Sequence, residues 1–486
     1  MKQLRIILLA LVVTHASAQP ETKVNRKAEE DKAFVVQQLQ VSTPVYKTIA
    51  KDIWDFAELG YLETKSSALL QQTLKQAGFK VETGVAEIPT AFVATYGSGK
   101  PVIGILAEFD ALPGLSQDTV PYKKPLVEGS TGHGCGHNLF GTASSAAAIS
   151  IKQWLEKNKK SGTVRLYGTP AEEGGGGKTF MVRAGLFEDV DAVLHWHPSD
   201  HNSADAQSCL AVIGANFRFY GTSSHAAGSP HVGRSALDGV ESMNYMVNML
   251  REHMPQEARI HYVITKGGLA ANVVPDYAEV EYMVRHPNVN GVLELWDRVV
   301  KAAEGAATGT GTRMDYEIVS GLYNLMPNET LGKLMHANLT KVGGVNYSAY
   351  ELDFAKKIQS SFSYAAPPLA RAQSIEPFKI GSFPASTDVG DISWLVPTTG
   401  LGTATWVPGT AAHTWQAVAV DGMGIGMKGM MNAAKVMAMT GIDLFTNPML
   451  IDQAKEELKK RRGVDFKYKS LVGDRKPPLD YRVGMR

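Results

Sequence analysis

Four short segments concentrate the side chains that bind metals or move protons. The first is Gly132-His133-Gly134-Cys135-Gly136-His137-Asn138. A thiolate and neutral imidazoles are donors that zinc and related ions accept, and C-x-H spacing in an extended loop can turn both toward one point. The flanking glycines let the backbone approach closely. The second is Pro170-Ala171-Glu172-Glu173-Gly174. Adjacent carboxylates on an extended chain face opposite ways, so one can hold a metal while the other serves as general base. The third is His195-Trp196-His197-Pro198, and the fourth is Gly409-Thr410-Ala411-Ala412-His413-Thr414-Trp415. Taken singly, each reads as a structural histidine or a solvated acidic loop. Their common position, each behind a strand-like run, favours one metal-assisted site.

A fifth segment, Gly221-Thr222-Ser223-Ser224-His225-Ala226-Ala227, is followed by Gly233-Arg234-Ser235-Ala236-Leu237-Asp238. A histidine there can reach a developing oxyanion when two domains close. Two other chemistries are excluded. The run Gly174–Gly177 before Lys178-Thr179 resembles a phosphate loop, but the pattern needs glycine where Glu172 stands. No G-x-S-x-G elbow occurs, which argues against a serine hydrolase.

The elements that must position these residues alternate. Helical spacing over Tyr46–Leu59 and Ser66–Ala77 is followed by strand-like runs Thr90–Tyr96 and Val102–Ala107. The second run is almost wholly apolar, as for a strand covered on both faces, and leads into Glu108-Phe109-Asp110. Small residues over Gly141–Ala148 predict a tightly packed helix, and Val164–Tyr167, Ala192–Leu194 and Gly402–Trp406 predict further strands. This order predicts an α/β sheet with ligands at strand ends. From about Cys209 the texture changes. Strands over Leu210–Phe219, Arg259–Ile264, Ala278–Val284 and Met314–Val319 enclose helices over Val232–Arg251 and Asn290–Ala306, predicting an inserted α+β, ferredoxin-like domain. Residues 21–31 read as loose and 360–383 as a long loop.

With 486 residues, two or more domains are expected. A net charge of +1 and the lack of an RNA- or DNA-binding motif argue against a nucleic-acid partner. Lys2 and Arg5, the apolar run Ile6–Val13 and Ala16-Ser17-Ala18 read as a secretory signal over residues 1–18, too short to span a bilayer. The mature chain is then expected outside the cytoplasm, in the periplasm, without a membrane span. Cys135 reads as a ligand rather than as half of a bridge to Cys209.

Several segments together resemble the M20 metallopeptidase/amidohydrolase family, most of all its aminobenzoyl-glutamate-hydrolase branch. They are Glu108–Leu115 (EFDALPGL), Gly132–Gly141 (GHGCGHNLFG), Glu172–Val182 (EEGGGGKTFMV), Trp196–Pro198 (WHP), Ser224–Asp238 (SHAAGSPHVGRSALD), Gly267–Pro275 (GGLAANVVP), Ala385–Trp394 (ASTDVGDISW) and Gly409–Gln416 (GTAAHTWQ). The resemblance implies a zinc-peptidase-like catalytic domain over 40–208 and 326–445, a lid or dimerisation domain over 209–325, and a C-terminal extension over 446–486. It makes Cys135, His137, Glu173, His197 and His413 ligands of two divalent ions, zinc or manganese. Glu172 becomes the general base, His225 the oxyanion stabiliser, and Asp110 the carboxylate orienting a ligand histidine. Asn272 is placed near the substrate, with Arg234, Arg285 and His231 as candidates for its carboxylate. Between His195 and His197, the histidine beside the proline is the aligned ligand. The implied substrate is a small N-acyl amino acid of the p-aminobenzoyl-glutamate kind. Dipeptides are the nearest alternative, and a catalytically silent binding protein on the same fold is the rival of a different class. The implied assembly is a homodimer through the lid, or a hetero-oligomer with a related subunit.

Overall fold

A computed structural model describes residues 23–485. The expected signal sequence lies outside the described residues. Twelve strands are present among them: β1 (Lys80–Thr83), β2 (Phe92–Ser98), β3 (Val102–Ala107), β4 (Gly162–Gly168), β5 (Ala192–Ser199), β6 (Ala206–Ser208), β7 (Ala211–Tyr220), β8 (Arg259–Lys266), β9 (Tyr277–His286), β10 (Arg313–Leu322), β11 (Ile380–Ser382) and β12 (Thr398–Ala404).

The larger sheet has the order β1-β2-β4-β3-β5-β12. Its centre is parallel: β3 pairs with β4 and β5, and β5 with β12. Every residue of β3 is buried. Helix His137–Asn158 is buried continuously from His137 to Ile151, because its alanines and serines let neighbouring backbones approach. Against it packs the methionine-rich helix Gly424–Thr446, whose flexible thioethers fill the remaining space.

The smaller sheet has the order β10-β7-β9-β8, antiparallel throughout. Helices Ala236–Leu250 and Val289–Thr310 complete a β-α-β-β-α-β unit. Burial alternates along β9, so Val280, Tyr282 and Val284 face Val240, Met243 and Val299 of the helices.

Two expectations need correction. Residues from Lys23 onward are not loose: one helix runs Lys23–Phe56 with Pro44 inside it. Proline removes one rung of the hydrogen-bond ladder, but Val35, Leu39, Tyr46, Ile49 and Ile53 form one buried stripe across it, and that packing keeps the helix whole. The stripe belongs to the same core as β3, so this body extends ahead of residue 40. The stretch 360–383 is also more ordered than a plain loop. It contains the 3-10 turn Leu369–Gln373 and β11, which pairs in parallel with β6. The Asn202 amide fastens it by donating to the carbonyls of Ala372 and Ser374 at 2.8 and 3.0 Å.

Past the helix Met449–Arg462, residues 463–485 form an irregular strap that touches both sheets' surroundings. Arg475 donates to the β10 carbonyl of Val319 at 2.8 Å, and the Tyr468 hydroxyl to Asp391 at 2.6 Å.

Candidate active site

The parallel strands β3, β4, β5 and β12 deliver their following segments to one edge of the large sheet, where ligands of open α/β sheets bind. Glu108 and Asp110 follow β3, Glu172 and Glu173 follow β4, His197 lies near the end of β5, and His413 comes after β12. Cys135 and His137 enter at the start of the helix behind β3. Gly136 sits between them at φ +72°, and a Cβ there would lie 2.6 Å from Pro198. Only glycine fits that turn.

Three donor sets converge, each with its atoms within 4.8 Å of one another: Cys135–His137–His197, Cys135–Glu173–His413 and Glu108–His137–Glu172. Cys135 is common to two of them. Both cysteines are free thiols. His195 shares the strand face of His197 but is turned onto Gly400 of β12, where a Cβ would meet its ring at 2.4 Å. It joins no set among the described residues.

The imidazoles are held in one useful tautomer. His137 Nδ1 donates to Asp110 Oδ1 at 2.8 Å, and His197 Nδ1 donates to the Pro198 carbonyl at 2.7 Å. Each Nε2 therefore keeps its lone pair for a metal. Three buried polar atoms here have no hydrogen-bond partner: His137 Nε2, Glu108 Oε2 and Glu173 Oε1. His137 Nε2 and Glu108 Oε2 lie only 3.2 Å apart, and His413 Nε2 lies 2.9 Å from Glu173 Oε1, without the alignment of a hydrogen bond. Sulfur, nitrogen and oxygen donors converging on unsatisfied buried atoms fit a divalent-metal site.

Two non-glycine residues adopt left-handed backbone at this edge, Ala171 at φ 59° and His413 at φ 61°. Such conformations cost roughly 1–3 kcal/mol and cluster at functional sites. Each is held by a specific bond. Ala171 N–H donates to the buried Glu63 carboxyl oxygen Oε1 at 2.8 Å, and His413 N–H donates to the Gly134 carbonyl at 2.8 Å. Burial, with the Asp110 charge, pushes the Glu63 carboxyl up to about 8.

The environment separates the two adjacent glutamates. Burial and the charges of Glu108 and Glu173 hold Glu172 well above the usual carboxylate range. Burial acts on Glu173 in the same direction, but His413 and His137 outweigh it and hold Glu173 low. One carboxyl is thus suited to carrying a proton and the other to remaining an anion. Burial likewise raises the Cys135 thiol well above its ordinary value; a bound cation would reverse this and leave the thiolate. On His137, burial opposes charge, but Asp110 and Cys135 prevail and raise its pKa well above the usual imidazole value; a bound cation would displace that second proton and free the Nε2 lone pair.

Sequence reasoning missed three features. Glu108 stands two residues from Asp110, so an extended segment presents both to the same side, and they flank the His137 ring. Lys178 is fully buried, with Nζ 2.7 Å from both Glu108 and Asp388. Its place after a glycine run points locally to a phosphate loop and gives no hint of a buried ion pair. No local signal marks Tyr481 and Arg482, which reach the Glu173 carbonyl from the chain's far end.

The candidate substrate residues divide. Arg285 of β9 lines the same cleft as Glu172 and Glu173, with Met283, Val212 and Leu322 of the smaller sheet. It makes no ion pair among the described residues, and burial lowers its pKa. His225, Asn272, Arg234 and His231 are exposed on the smaller domain's loops. No hydrogen bond or ion pair among the described residues joins them to the cluster of Cys135, His137, Glu173, His197 and His413. His225 Nδ1 instead accepts from the Ala227 and Gly228 amides.

A two-lobed α/β fold with sulfur, nitrogen and oxygen donors converging at the parallel-strand edge is what these features define. Residues 104–414 match peptidase family M20/M25/M40, and the chain belongs to that family of metal-dependent hydrolases. It is 42% identical over 451 residues to one of the subunits of the p-aminobenzoyl-glutamate hydrolase of Escherichia coli, covering 87% of this chain and 94% of that protein. It is 28% identical over 463 residues to the mouse Xaa-Arg dipeptidase, covering 92% and 96%. Its fold matches a dinuclear metal-binding M20 peptidase from Bacillus subtilis at a TM-score of 0.58 and 18% identity, covering 84% of this chain and 99% of that one.

Proposed function

We propose that the protein hydrolyses the amide bond of an N-acyl amino acid of the p-aminobenzoyl-glutamate type. The observation that carries this reading is the opposed pair Glu172 and Glu173 beside convergent S, N and O donors, with an acid-free Arg285 in the same cleft. Cys135, His137, Glu173, His197 and His413 would hold two divalent cations, and the thiolate and three imidazoles suit zinc over manganese. Bound there, the cations supply Lewis acidity to the amide carbonyl and make the attacking water more acidic. Glu172 takes the proton of that water as the new C–O bond forms. It returns the proton to the leaving amine nitrogen as the C–N bond breaks. Arg285 pairs with a substrate carboxylate, a bidentate partner it lacks among the described residues.

His225 and Asn272 would meet the substrate from the smaller domain, His225 as oxyanion donor from a second copy. Their exposure supports that placement. So does the outer strand β8, with Val263 and Ile264 exposed, beside a helix exposing Tyr245, Met246 and Met249. An open strand edge with apolar neighbours fits pairing with a second copy, or with a related polypeptide, as the name of the E. coli relative indicates for that protein. Export to the periplasm after cleavage behind Ala18 is part of the same reading. No helix among the described residues is long and apolar enough to cross a membrane.

The test is p-aminobenzoate release from p-aminobenzoyl-glutamate by the purified chain, stripped by chelator and then restored with zinc or manganese. Metal-restored release is expected. A chain that binds two metals yet cleaves neither this compound nor a panel of dipeptides and N-acyl amino acids would overturn the hydrolytic reading.

A further inference from the structure

Glu173 is gripped on both sides of its own peptide groups. Its N–H donates to Asp110 Oδ2 at 2.9 Å. Its carbonyl accepts from Tyr481 Oη at 3.0 Å and Arg482 Nη2 at 2.9 Å. The segment needs such a grip. Ala171, Gly174 and Gly176 all have positive φ, at 59°, 92° and 66°, and the turn's own bonds are few: Gly174 N–H to the Glu172 carbonyl and Gly176 N–H to that of Ala171.

The two tail residues are themselves fixed. The Tyr481 ring meets Tyr61 edge-on at 5.6 Å, and the Tyr61 hydroxyl donates to the Gly175 carbonyl at 2.8 Å. Tyr481 Oη passes so close to Gly60 that a Cβ there would lie 2.1 Å away. Arg482 makes no ion pair among the described residues, although the cluster beside it is acidic; its Nη2 goes to the Glu173 carbonyl and its Nη1 to the Met485 sulfur at 3.5 Å. Upstream, Arg183 donates to the carbonyls of Gly473 and Arg475 at 2.8 and 2.6 Å, and Leu471 and Val472 are buried. The strap is therefore anchored before it reaches the site.

We propose that Tyr481 and Arg482 are positioning residues for the metal-binding loop: they hold the Glu173 carbonyl so that its carboxylate stays aimed at Cys135 and His413. This rests on the metal-site reading above. Removing the strap would strip buried Leu471 and Val472, so point variants of the full chain are the right probes. Tyr481→Phe deletes one donor and keeps the ring, Arg482→Ala deletes the other, and Arg482→Lys is the conservative control.

Zinc is titrated into each metal-stripped protein against a chromogenic chelator, alongside melting of the metal-free chain and steady-state kinetics. The double variant Tyr481→Phe/Arg482→Ala is expected to bind zinc about tenfold or more weakly, as loss of two partly buried hydrogen bonds implies. Its kcat should fall with little change in KM, its metal-free melting point should hold, and Arg482→Lys should recover part of the affinity. Unaltered zinc affinity in the double variant, or a loss matched by collapse of the metal-free melting point, overturns the positioning role while leaving the metal site intact. A wild-type chain that takes up no zinc or manganese overturns the metal-site reading itself, and this inference with it.

Discussion

Asp110 and His137 are joined at 2.8 Å through Oδ1 and Nδ1, deep enough that neither side chain meets solvent. The other Asp110 oxygen receives the Glu173 N–H. One carboxylate thus orients an imidazole and a carboxylate loop at once. Asp110→Asn can satisfy only one of these donors as an acceptor. We expect zinc affinity to drop about 10–100-fold, the usual effect of losing such a support. Chelator competition measures it, and unchanged affinity would count against the arrangement.

Glu172→Gln should separate chemistry from binding. The amide cannot shuttle a proton, so turnover is expected to fall roughly 10²–10⁴-fold. Zinc stoichiometry should stay at the wild-type value. A variant that keeps near-normal turnover would remove Glu172 from the mechanism.

Lys178 lies between Glu108 and Asp388 with all three side chains buried. Lys178→Met strands two carboxylates together and should cost about 3–5 kcal/mol in urea unfolding. Adding Glu108→Gln and Asp388→Asn should recover part of that loss. Equal stability of Lys178→Met and wild type would show that the carboxylates do not depend on the lysine.

Glu63 makes a pH-dependent contribution with a defined sign. Its folded pKa of about 8 lies above the ordinary value of 4.5. The carboxyl stays protonated in the fold while the unfolded chain ionises. Its stabilisation is complete below about 4.5 and is lost as pH rises through about 8. Glu63→Gln removes that dependence. The stability of the variant relative to wild type should therefore improve between pH 5 and pH 8, by an amount on the order of a few kcal/mol. Urea unfolding at the two pH values tests this; a constant difference would contradict it.

Arg285→Ala should raise KM for an acyl-glutamate by roughly ten- to a hundredfold, the loss of one charged hydrogen-bonding partner, and leave zinc affinity unchanged. Arg234→Ala, on an exposed loop, should change KM much less. Equal effects of the two substitutions would mean that the cleft does not select between them.

The wholly buried run of β3 and the alternation along β9 were legible because burial on both faces, or on one, writes itself into consecutive residues. The glutamate pair and the Cys-x-His segment were legible because their spacing is local. The helix from Lys23 was not, since its polar start and Pro44 both argue locally against a helix that only packing sustains. Nor were the Lys178–Asp388 pair, 210 residues apart, or the Tyr481–Glu173 contact, 308 residues apart. Side chains that meet across such distances leave no period to read.

The His413 N–H bond to the Gly134 carbonyl spans the whole inserted β-α-β-β-α-β unit in sequence. His413 cannot join Cys135, His137, Glu173 and His197 until β12 has docked beside β5, after that long excursion of chain. Such non-local closure is slow compared with local folding. In a refolding experiment, zinc uptake would therefore lag behind the recovery of helix signal, and the metal would serve as a clock for the final joining of the two halves.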